Sequence, residues 1–388
     1  MSRIDRLIAE LAPHGVPYKT VSDVAVYVRG VTYSKDDEQP DGPIRVLRSN
    51  NITLSSNTLN FDDVRTVAER VRVRPDQRLK AEDILISAAS GSKAHVGKVA
   101  YVWEDIDYCF GGFMAVLRVS GHVDSRFLFH LLIGKSFSNY LEATLTSTTI
   151  NNLNSSTMGG FSIPVPPLEV QRKIVRILDH FSELEAELEA ELEARKFQYA
   201  YFRDSLLTFP EAGKVQRIPM GDITVKIASG RNKSRTVVGE FPVYGSTGRL
   251  GYSDQPAYSG DALLVARVGA NAGLVNAVRG EFDVSDNTLV VSPTQDWDIR
   301  FAFHQLTQMN LNQYAVGGGQ PLITGGRLKT LEITLPPLDE QRRIASILDN
   351  FEVLVCDLST GLPAELNARR KQYEYYRDRL LTFEEAVA

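Results

Sequence analysis

The sequence predicts an α+β chain with an internal pseudo-twofold repeat: two α/β globules separated by two long helices that form an antiparallel coiled coil. Three observations predict it. The stretch Ile163-Pro-Val-Pro-Pro-Leu-Glu-Val-Gln-Arg-Lys-Ile through Phe209 returns as Ile333-Thr-Leu-Pro-Pro-Leu-Asp-Glu-Gln-Arg-Arg-Ile through Phe383. Inside both copies the apolar residues keep helical spacing. Ahead of both copies, short β-branched and aromatic runs follow one another in the same order. A repeat of this length means two copies of one structural unit. The expected division is 1–162 and 213–332 for the globules, with 163–212 and 333–388 for the helical segments.

In chain order, residues 1–15 predict a short amphipathic helix carrying Ile4, Leu7, Ile8 and Leu11, ended by Gly15-Val-Pro17. In the first globule, Val24–Val28, Ile44–Leu47, Ile84–Ile86, Val96–Val102 and Phe113–Val119 read as strands bounded by Gly, Asn, Asp and Ser. Phe127–Ile133 and Phe137–Leu145 read as helices. Pro166-Pro167 then fixes where the first long helix can begin, because proline is excluded from helix interiors. Its seam is Ile174, Leu178, Phe181, Leu188, Leu192, Tyr199, Phe202, Leu206 and Phe209, the a and d spacing of a coiled coil. About 40 residues at ~1.5 Å each make a rod of roughly 60 Å. Glu183–Glu193 alternates Glu with Leu or Ala and solvates the outer face.

The second globule repeats the order. Phe127-Leu-Phe-His-Leu-Leu matches Phe301-Ala-Phe-His-Gln-Leu at an offset of 174 residues, and Tyr140 matches Tyr314. His130 and His304 therefore fall at equivalent helix positions, which predicts a structural role such as a helix–strand hydrogen bond. The second helical segment carries four additional residues between Phe351 and Arg369. They fall at Gly361-Leu-Pro363, where a kink or break is expected. Ile177, Leu184, Ile347 and Leu354 widen the apolar stripe, as a docking surface or a thicker core would require.

Composition bounds the function. The chain has 388 residues, 43% of them hydrophobic, and a formal net charge of −5. Cys109 and Cys356 are too few for a disulfide framework or a zinc site. The sequence lacks an apolar run of membrane-spanning length, and Met1-Ser-Arg-Ile-Asp-Arg-Leu7 lacks the core of a signal peptide, so the expected location is cytoplasmic. The acidity belongs to the helices. Residues 1–150 carry 18 basic and 18 acidic side chains, and residues 213–332 carry 12 and 10. Basic clusters at Arg65–Lys80 and Arg231–Arg235 permit nucleic-acid binding without demanding it.

Catalytic motifs are missing from the sequence. Gly91-Ser-Lys-Ala-His-Val-Gly-Lys-Val99 has the wrong spacing for a phosphate loop and Val99 where a hydroxyl is needed. The Asn/Asp-Pro-Pro-Tyr/Phe motif of N6-adenine methyltransferases is not present, and Pro75-Asp76 with Glu82 lacks the lysine of a nuclease site. The loops carry more. In the first globule they present Arg48, Asn50 and Asn51, then Ser90, Lys93 and His95, then Thr148 and Thr149. In the second they present Ser246, Thr247 and Arg249, then Arg267 and Asn271, then Gln320. Gly-rich loops bearing Arg, Asn, Ser and Thr suit phosphates and base edges; the same residues also suit ordinary turns.

With these motifs in view, the whole chain resembles the specificity subunit of a Type I restriction–modification system. The resemblance rests on Pro166-Pro-Leu-Glu-Val-Gln-Arg with Ile177-Leu-Asp179, on Pro336-Pro-Leu-Asp-Glu-Gln-Arg with Ile347-Leu-Asp349, and on the closing Lys371-Gln-Tyr-Glu-Tyr-Tyr-Arg-Asp-Arg-Leu-Leu-Thr-Phe383. Tyr244-Gly-Ser-Thr-Gly and Ala266-Arg-Val-Gly-Ala-Asn-Ala-Gly273 are similar to one class of its recognition domains. The resemblance implies that the globules are target recognition domains, each reading one half of a split double-stranded DNA sequence. It implies that the coiled coil sets the gap and docks two modification (methyltransferase) subunits, and that restriction (translocase and nuclease) subunits are recruited. It also implies a chain without catalysis of its own, with S-adenosylmethionine, ATP and Mg bound only by the partner subunits and no metal or cofactor here. A different class of protein, a coiled-coil adaptor with two protein-binding globules, would share the same outline.

Overall fold

A computed structural model describes residues 10, 13–90, 95–145, 151–209, 215–317, 319–356 and 360–386. The helix expected at 1–15 lies almost wholly outside them. The chain divides into two compact units. One holds Met1–Glu187 with Asn367–Ala388, and the other holds Leu188–Leu366.

In the first unit, a four-stranded antiparallel sheet runs in the order Ala25–Arg29, Met114–Val119, Ile84–Ser87, Val99–Tyr101. Ile84-Leu-Ile-Ser is buried at all four positions because both sheet faces are covered. Alternate side chains of a strand point to opposite faces. Ile84 and Ile86 pack with Phe127, Leu128, Ile174 and Leu178 on the helical side. Leu85 packs with Leu47, Phe110 and Val116 on the other. There a three-stranded sheet places Cys109–Phe110 parallel to Ile44–Leu47, which pairs in turn with Arg65–Val67. Burial pushes the Cys109 thiol up to about 11. The helices Ser125–Leu132 and Lys135–Thr144 match the expected pair within two residues.

The second unit repeats this plan. Its antiparallel sheet runs Thr224–Ser229, Thr288–Pro293, Ala262–Ala266, Val275–Val278. Leu263, Val265, Leu289 and Val291 face Trp297, Phe301, Ile344 and Leu348. Ala262, Leu264 and Val290 face Phe282 and Val284. In both units an antiparallel strand pair joins the two ends of the globule just before its long helix: Tyr18–Thr20 with Ser162–Pro164, and Gln216–Pro219 with Glu332–Leu335.

The first long helix, Leu168–Leu207, is uninterrupted over 40 residues. The second segment breaks into Leu338–Cys356 and Leu362–Leu380, of 19 residues each. Residues 357–359 lie outside the described residues, Thr360 and Gly361 are non-helical, and Leu362 and Pro363 of the expected break already belong to the last helix. Pro363 sits in the first turn of the last helix, where its missing N–H costs nothing. The helices pair antiparallel within each unit. In the first, Phe181 meets Tyr373 and Tyr376 at 6.5 and 5.4 Å, and Glu185 accepts from Arg370 at 2.6 Å. In the second, Leu192 packs with Val355 and Leu366, and Phe202 stacks on Phe351 at 5.5 Å.

The repeated motifs have a physical explanation. The glutamine of each Pro-Pro-Leu-x-x-Gln stretch is fully buried and fastens the long helix to its globule. Gln171 Oε1 accepts from the Asp124 N–H at 2.8 Å, while its Nε2 donates to the His122 and Pro166 carbonyls at 3.0 and 2.7 Å. Gln341 does the same with Asp298, Asp296 and Pro336, each at 2.9 Å. The aspartate of each Ile-Leu-Asp accepts from an arginine and a histidine on the globule's first helix. Asp179 takes Arg126 at 2.5 Å and His130 Nε2 at 2.9 Å. Asp349 takes Arg300 and His304 Nε2, both at 2.7 Å. The other ring nitrogen of each histidine meets a tyrosine hydroxyl, Tyr373 at 3.2 Å and Tyr199 at 3.3 Å. The expected helix–strand bond is thus corrected: both histidines bond helix to helix, because the carboxylate and the tyrosine lie on the long helices.

Burial holds His130 and His304 below the ordinary histidine value, and the bond to aspartate opposes this without overcoming it. The neighbouring guanidinium already supplies the cation that each carboxylate needs. Burial pushes Asp179 and Asp349 up, but the bonds from His and Arg outweigh it and hold both below the usual carboxylate value.

Removing either glutamine leaves buried backbone groups unpaired, at about 1–3 kcal/mol. Gln171→Ala and Gln341→Ala should each lower the denaturant midpoint without changing its slope, measured by equilibrium unfolding. A histidine kept neutral in the fold contributes stability that is full above its unfolded value of about 6.5 and fades as pH falls below it. The aspartates, with depressed values, lose their contribution only as pH falls below about 4. Calorimetry should therefore show an acid decline in two stages, and the double variant His130→Gln with His304→Gln should flatten the first.

Candidate nucleic-acid interface

At one end of each central sheet the same backbone hydrogen bonds recur. In the first unit the Gly111 N–H donates to Leu47 O at 2.9 Å, Gly30 N–H to Met114 O at 3.0 Å, Ala88 N–H to Phe113 O at 2.8 Å, and Leu153 N–H to Ala88 O at 2.7 Å. In the second, Ser285 N–H donates to Tyr244 O, Gly230 N–H to Thr288 O, Arg267 N–H to Asn287 O and Ile323 N–H to Arg267 O, each at 2.9 Å. Gly30 and Gly230 are required by close approach: a Cβ would lie 2.1 Å from Gly111 O in one and 2.3 Å from Ser285 O in the other. This lattice gathers the loops that carry the sequence candidates.

In the first unit, Arg48 pairs with Asp63 at 2.8 Å, and Asn50 donates to the same carboxylate at 3.0 Å. Both remain at the surface. Asn51 does not: it is 0% exposed, accepts from the Arg48 N–H at 2.9 Å and donates to the Asn60 and Asp63 carbonyls at 3.1 and 3.3 Å. Its amide is consumed in holding the loop, which corrects its expected place among the base-contacting side chains. Ser90 lies in a short strand opposite Asn151, and His95 is exposed. Lys93, Thr148 and Thr149 lie outside the described residues.

In the second unit two of the three expected loops meet on Asn287, and the third joins them through Pro321. The Asn287 carbonyl accepts from Ser246 Oγ at 3.1 Å as well as from the Arg267 N–H. Ser246 and Thr247 form the turn between the strands Phe241–Gly245 and Gly248–Ser253. Arg249 follows, exposed, its guanidinium 5.2 Å from the Tyr252 ring centre. Arg267 Nη1 reaches Ser229 Oγ at 3.4 Å. The Gly269 N–H donates to Pro321 O at 3.0 Å, which brings the exposed Gln320 beside the loop of the exposed Asn271.

Buried side-chain atoms without a protein partner concentrate at these same edges. Among the described residues they are Arg48 Nε, Ser87 Oγ, Asn232 Oδ1, Arg267 Nε, Ser285 Oγ and Thr288 Oγ1, with only Thr294 Oγ1 elsewhere. Buried polar atoms are ordinarily paired with protein or with ordered water.

The charge distribution needs one correction. The basic run Arg65–Lys80 is largely neutralised, because Arg65, Arg70, Arg74 and Arg78 pair with Glu38, Asp37, Asp76 and Asp107. Arg231, Lys233 and Arg235 are exposed and enter no ion pair among the described residues. Two exposed residues escaped the sequence reading, Phe113 and Asn287. The offset of 174 that aligns Phe127 with Phe301 also aligns these two, and that was the available signal.

The Type I restriction modification DNA specificity domain matches residues 13–194 and again 217–368. The chain is 38% identical over 255 residues to the specificity subunit of the Type I restriction enzyme EcoprrI from Escherichia coli, covering 60% of this chain and 62% of that one, just under two thirds of its length. It is 31% identical over 337 residues to a putative Type I specificity subunit from Haemophilus influenzae, covering 74% of this chain and 84% of that one. The fold is similar to that of the Type I restriction–modification S subunit from M. genitalium, with a TM-score of 0.57 at 16% identity over 95% of this chain and 96% of that one.

Asn51→Ala removes three buried hydrogen bonds and should cost about 1–3 kcal/mol, while the exposed Thr247→Ala should stay within about 0.5 kcal/mol of the parent. Thermal unfolding of the two variants beside the parent checks the contrast.

Proposed function

The chain belongs to the Type I restriction modification DNA specificity family, and from that premise we propose that it is the subunit that selects the DNA sequence on which a Type I complex acts. In this reading each unit contacts one half of a bipartite double-stranded target through the loops gathered at its sheet end. The long helices dock two modification subunits, and their length sets the gap between the half-sites. Restriction subunits join the same assembly. Methyl transfer and cleavage, with S-adenosylmethionine, ATP and Mg, belong to those partners. The cytoplasm is where such an assembly meets its DNA. No helix among the described residues is long and apolar enough to cross a membrane.

The observation that carries the reading is a contrast inside one chain. The groups that fasten each helix to its globule are repeated residue for residue: Gln171 and Gln341, Asp179 and Asp349, His130 and His304. The loops on the shared backbone lattice differ at almost every exposed position. That is the pattern of a common mount carrying two different readers. Arginine and lysine side chains suit phosphate contacts that set register, whereas amides and hydroxyls suit base edges. The modest exposed charge supports a division of labour in which partner subunits supply much of the backbone affinity.

Incubating DNA and a labelled methyl donor with the purified chain, with a modification subunit, and with both should give methylation only in the last case. Sequencing the methylated motif should then show that exchanging residues 20–160 for those of another family member changes one half-site and leaves the other intact. Methyl transfer by the chain alone, or an exchange that rewrites both halves, contradicts the reading.

A further inference from the structure

Phe113 is 71% exposed, yet its backbone is held by hydrogen bonds. Its carbonyl accepts two N–H groups, from Ala88 at 2.8 Å and Ala89 at 3.0 Å. Phe110 and Met114 on either side are both fully buried. The ring stacks on no other ring among the described residues. A single exposed apolar side chain is common and needs no explanation by itself. What sets Phe113 apart is its counterpart.

The lattice bonds place Phe113 and Asn287 at the same point of the two units. Each carbonyl accepts the N–H of the residue just past a buried strand, Ala88 after Ile84–Ser87 and Arg267 after Ala262–Ala266. The residue that follows each one pairs with that strand's last residue, Met114 with Ser87 and Thr288 with Ala266. Asn287 is also exposed. One rigid mount thus presents an aromatic ring in one unit and a carboxamide in the other.

Two arginines approach the backbone just ahead of Phe113. Arg29 Nε donates to Gly112 O at 3.1 Å, one residue away. Arg48 Cγ lies 3.9 Å from the position a Cβ would take on Gly111. Arg29 is exposed and suits a phosphate contact near this apolar side chain, while the Arg48 guanidinium is paired with Asp63. In the second unit Asn287 stands between Ser246 and Arg267.

We propose that this position determines specificity in each unit: Phe113 contacts the C5-methyl group of a thymine in the half-site of the first unit, and Asn287 reads the edge of an adenine in that of the second. The inference rests on the DNA-reading function proposed above and adds which side chains read and what they read. The major groove distinguishes these bases by such groups, the thymine methyl for an apolar side chain and the adenine N6 and N7 for an amide. Burying one methyl is worth about 0.8 kcal/mol, roughly four-fold in binding. A lost bidentate amide contact, at about 1–3 kcal/mol, is roughly five- to 150-fold.

The test uses the full chain assembled with its modification subunit. Binding is measured by titration to duplexes in which each thymine of the target is replaced in turn by deoxyuridine, and the methylated motif of each variant is read by sequencing. The parent should lose roughly four-fold or more at one thymine of the first half-site. Phe113→Ala should be indifferent to that substitution and should relax the motif at that base pair alone. Asn287→Ala should relax one base pair of the other half-site. Both side chains are exposed, so the unfolding midpoints should match the parent and exclude misfolding. A Phe113→Ala complex that methylates the parental motif, with undiminished discrimination against deoxyuridine, overturns the assignment while leaving the subunit's function standing. A parent complex with no sequence-selective methylation overturns both.

Discussion

Each long helix is tied to its globule by one carboxylate that accepts from an arginine and a histidine at once. Asp179 and Asp349 are only partly exposed, and each histidine that reaches them is fully buried. Partly buried ion pairs of this kind add little net stability, since desolvation offsets much of the attraction. Their effect is to fix rotation. One residue of slip turns an α-helix by about 100° and would carry the aspartate off the arginine and histidine that it must meet. Gln171 and Gln341 then fix the axial position, because each joins the helix start to the backbone ahead of the globule's first helix. The seam residues can pack in register only once these two degrees of freedom are set.

This explains how much of the molecule was legible in the sequence. The repeat is legible because the fastening groups are few, specific and local to two motifs. The strands are legible because runs such as Ile84-Leu-Ile and Ala262-Leu-Leu-Val lie in sheets covered on both faces. The histidine partners are not, since a sequence displays a charge without its counter-ion. The same limit applies to Arg65–Lys80, where pairing with Glu38, Asp37, Asp76 and Asp107 cancels most of what looked like a basic surface. Asn51 looked like a reader because loop-building and base-reading use the same amide. Only burial separates the two roles.

The sheet-end lattice is made of backbone groups, so it places almost no demand on side chains. Gly30 and Gly230 are exceptions, because the approaching carbonyl leaves no room for a Cβ. Elsewhere the exposed residues are free to differ, and they do: a short helical loop carrying Arg48 and Asn50 in one unit, a tight turn of Ser246 and Thr247 in the other.

The pairing of Arg48 with Asp63, set against Arg231, Lys233 and Arg235, which enter no ion pair among the described residues, has a thermodynamic consequence for the proposed DNA complex. A cation that meets a phosphate displaces a condensed counterion, and each such event steepens the dependence of affinity on salt by about 0.9. When Arg48 leaves Asp63 for a phosphate, the freed carboxylate recruits a cation in turn, and the two ion movements largely cancel. Arg231, Lys233 and Arg235 have no such compensation among the described residues. In the proposed complex a phosphate contact by Arg48 would thus answer weakly to salt, while contacts by Arg231, Lys233 and Arg235 would tighten or loosen with the ionic strength around them.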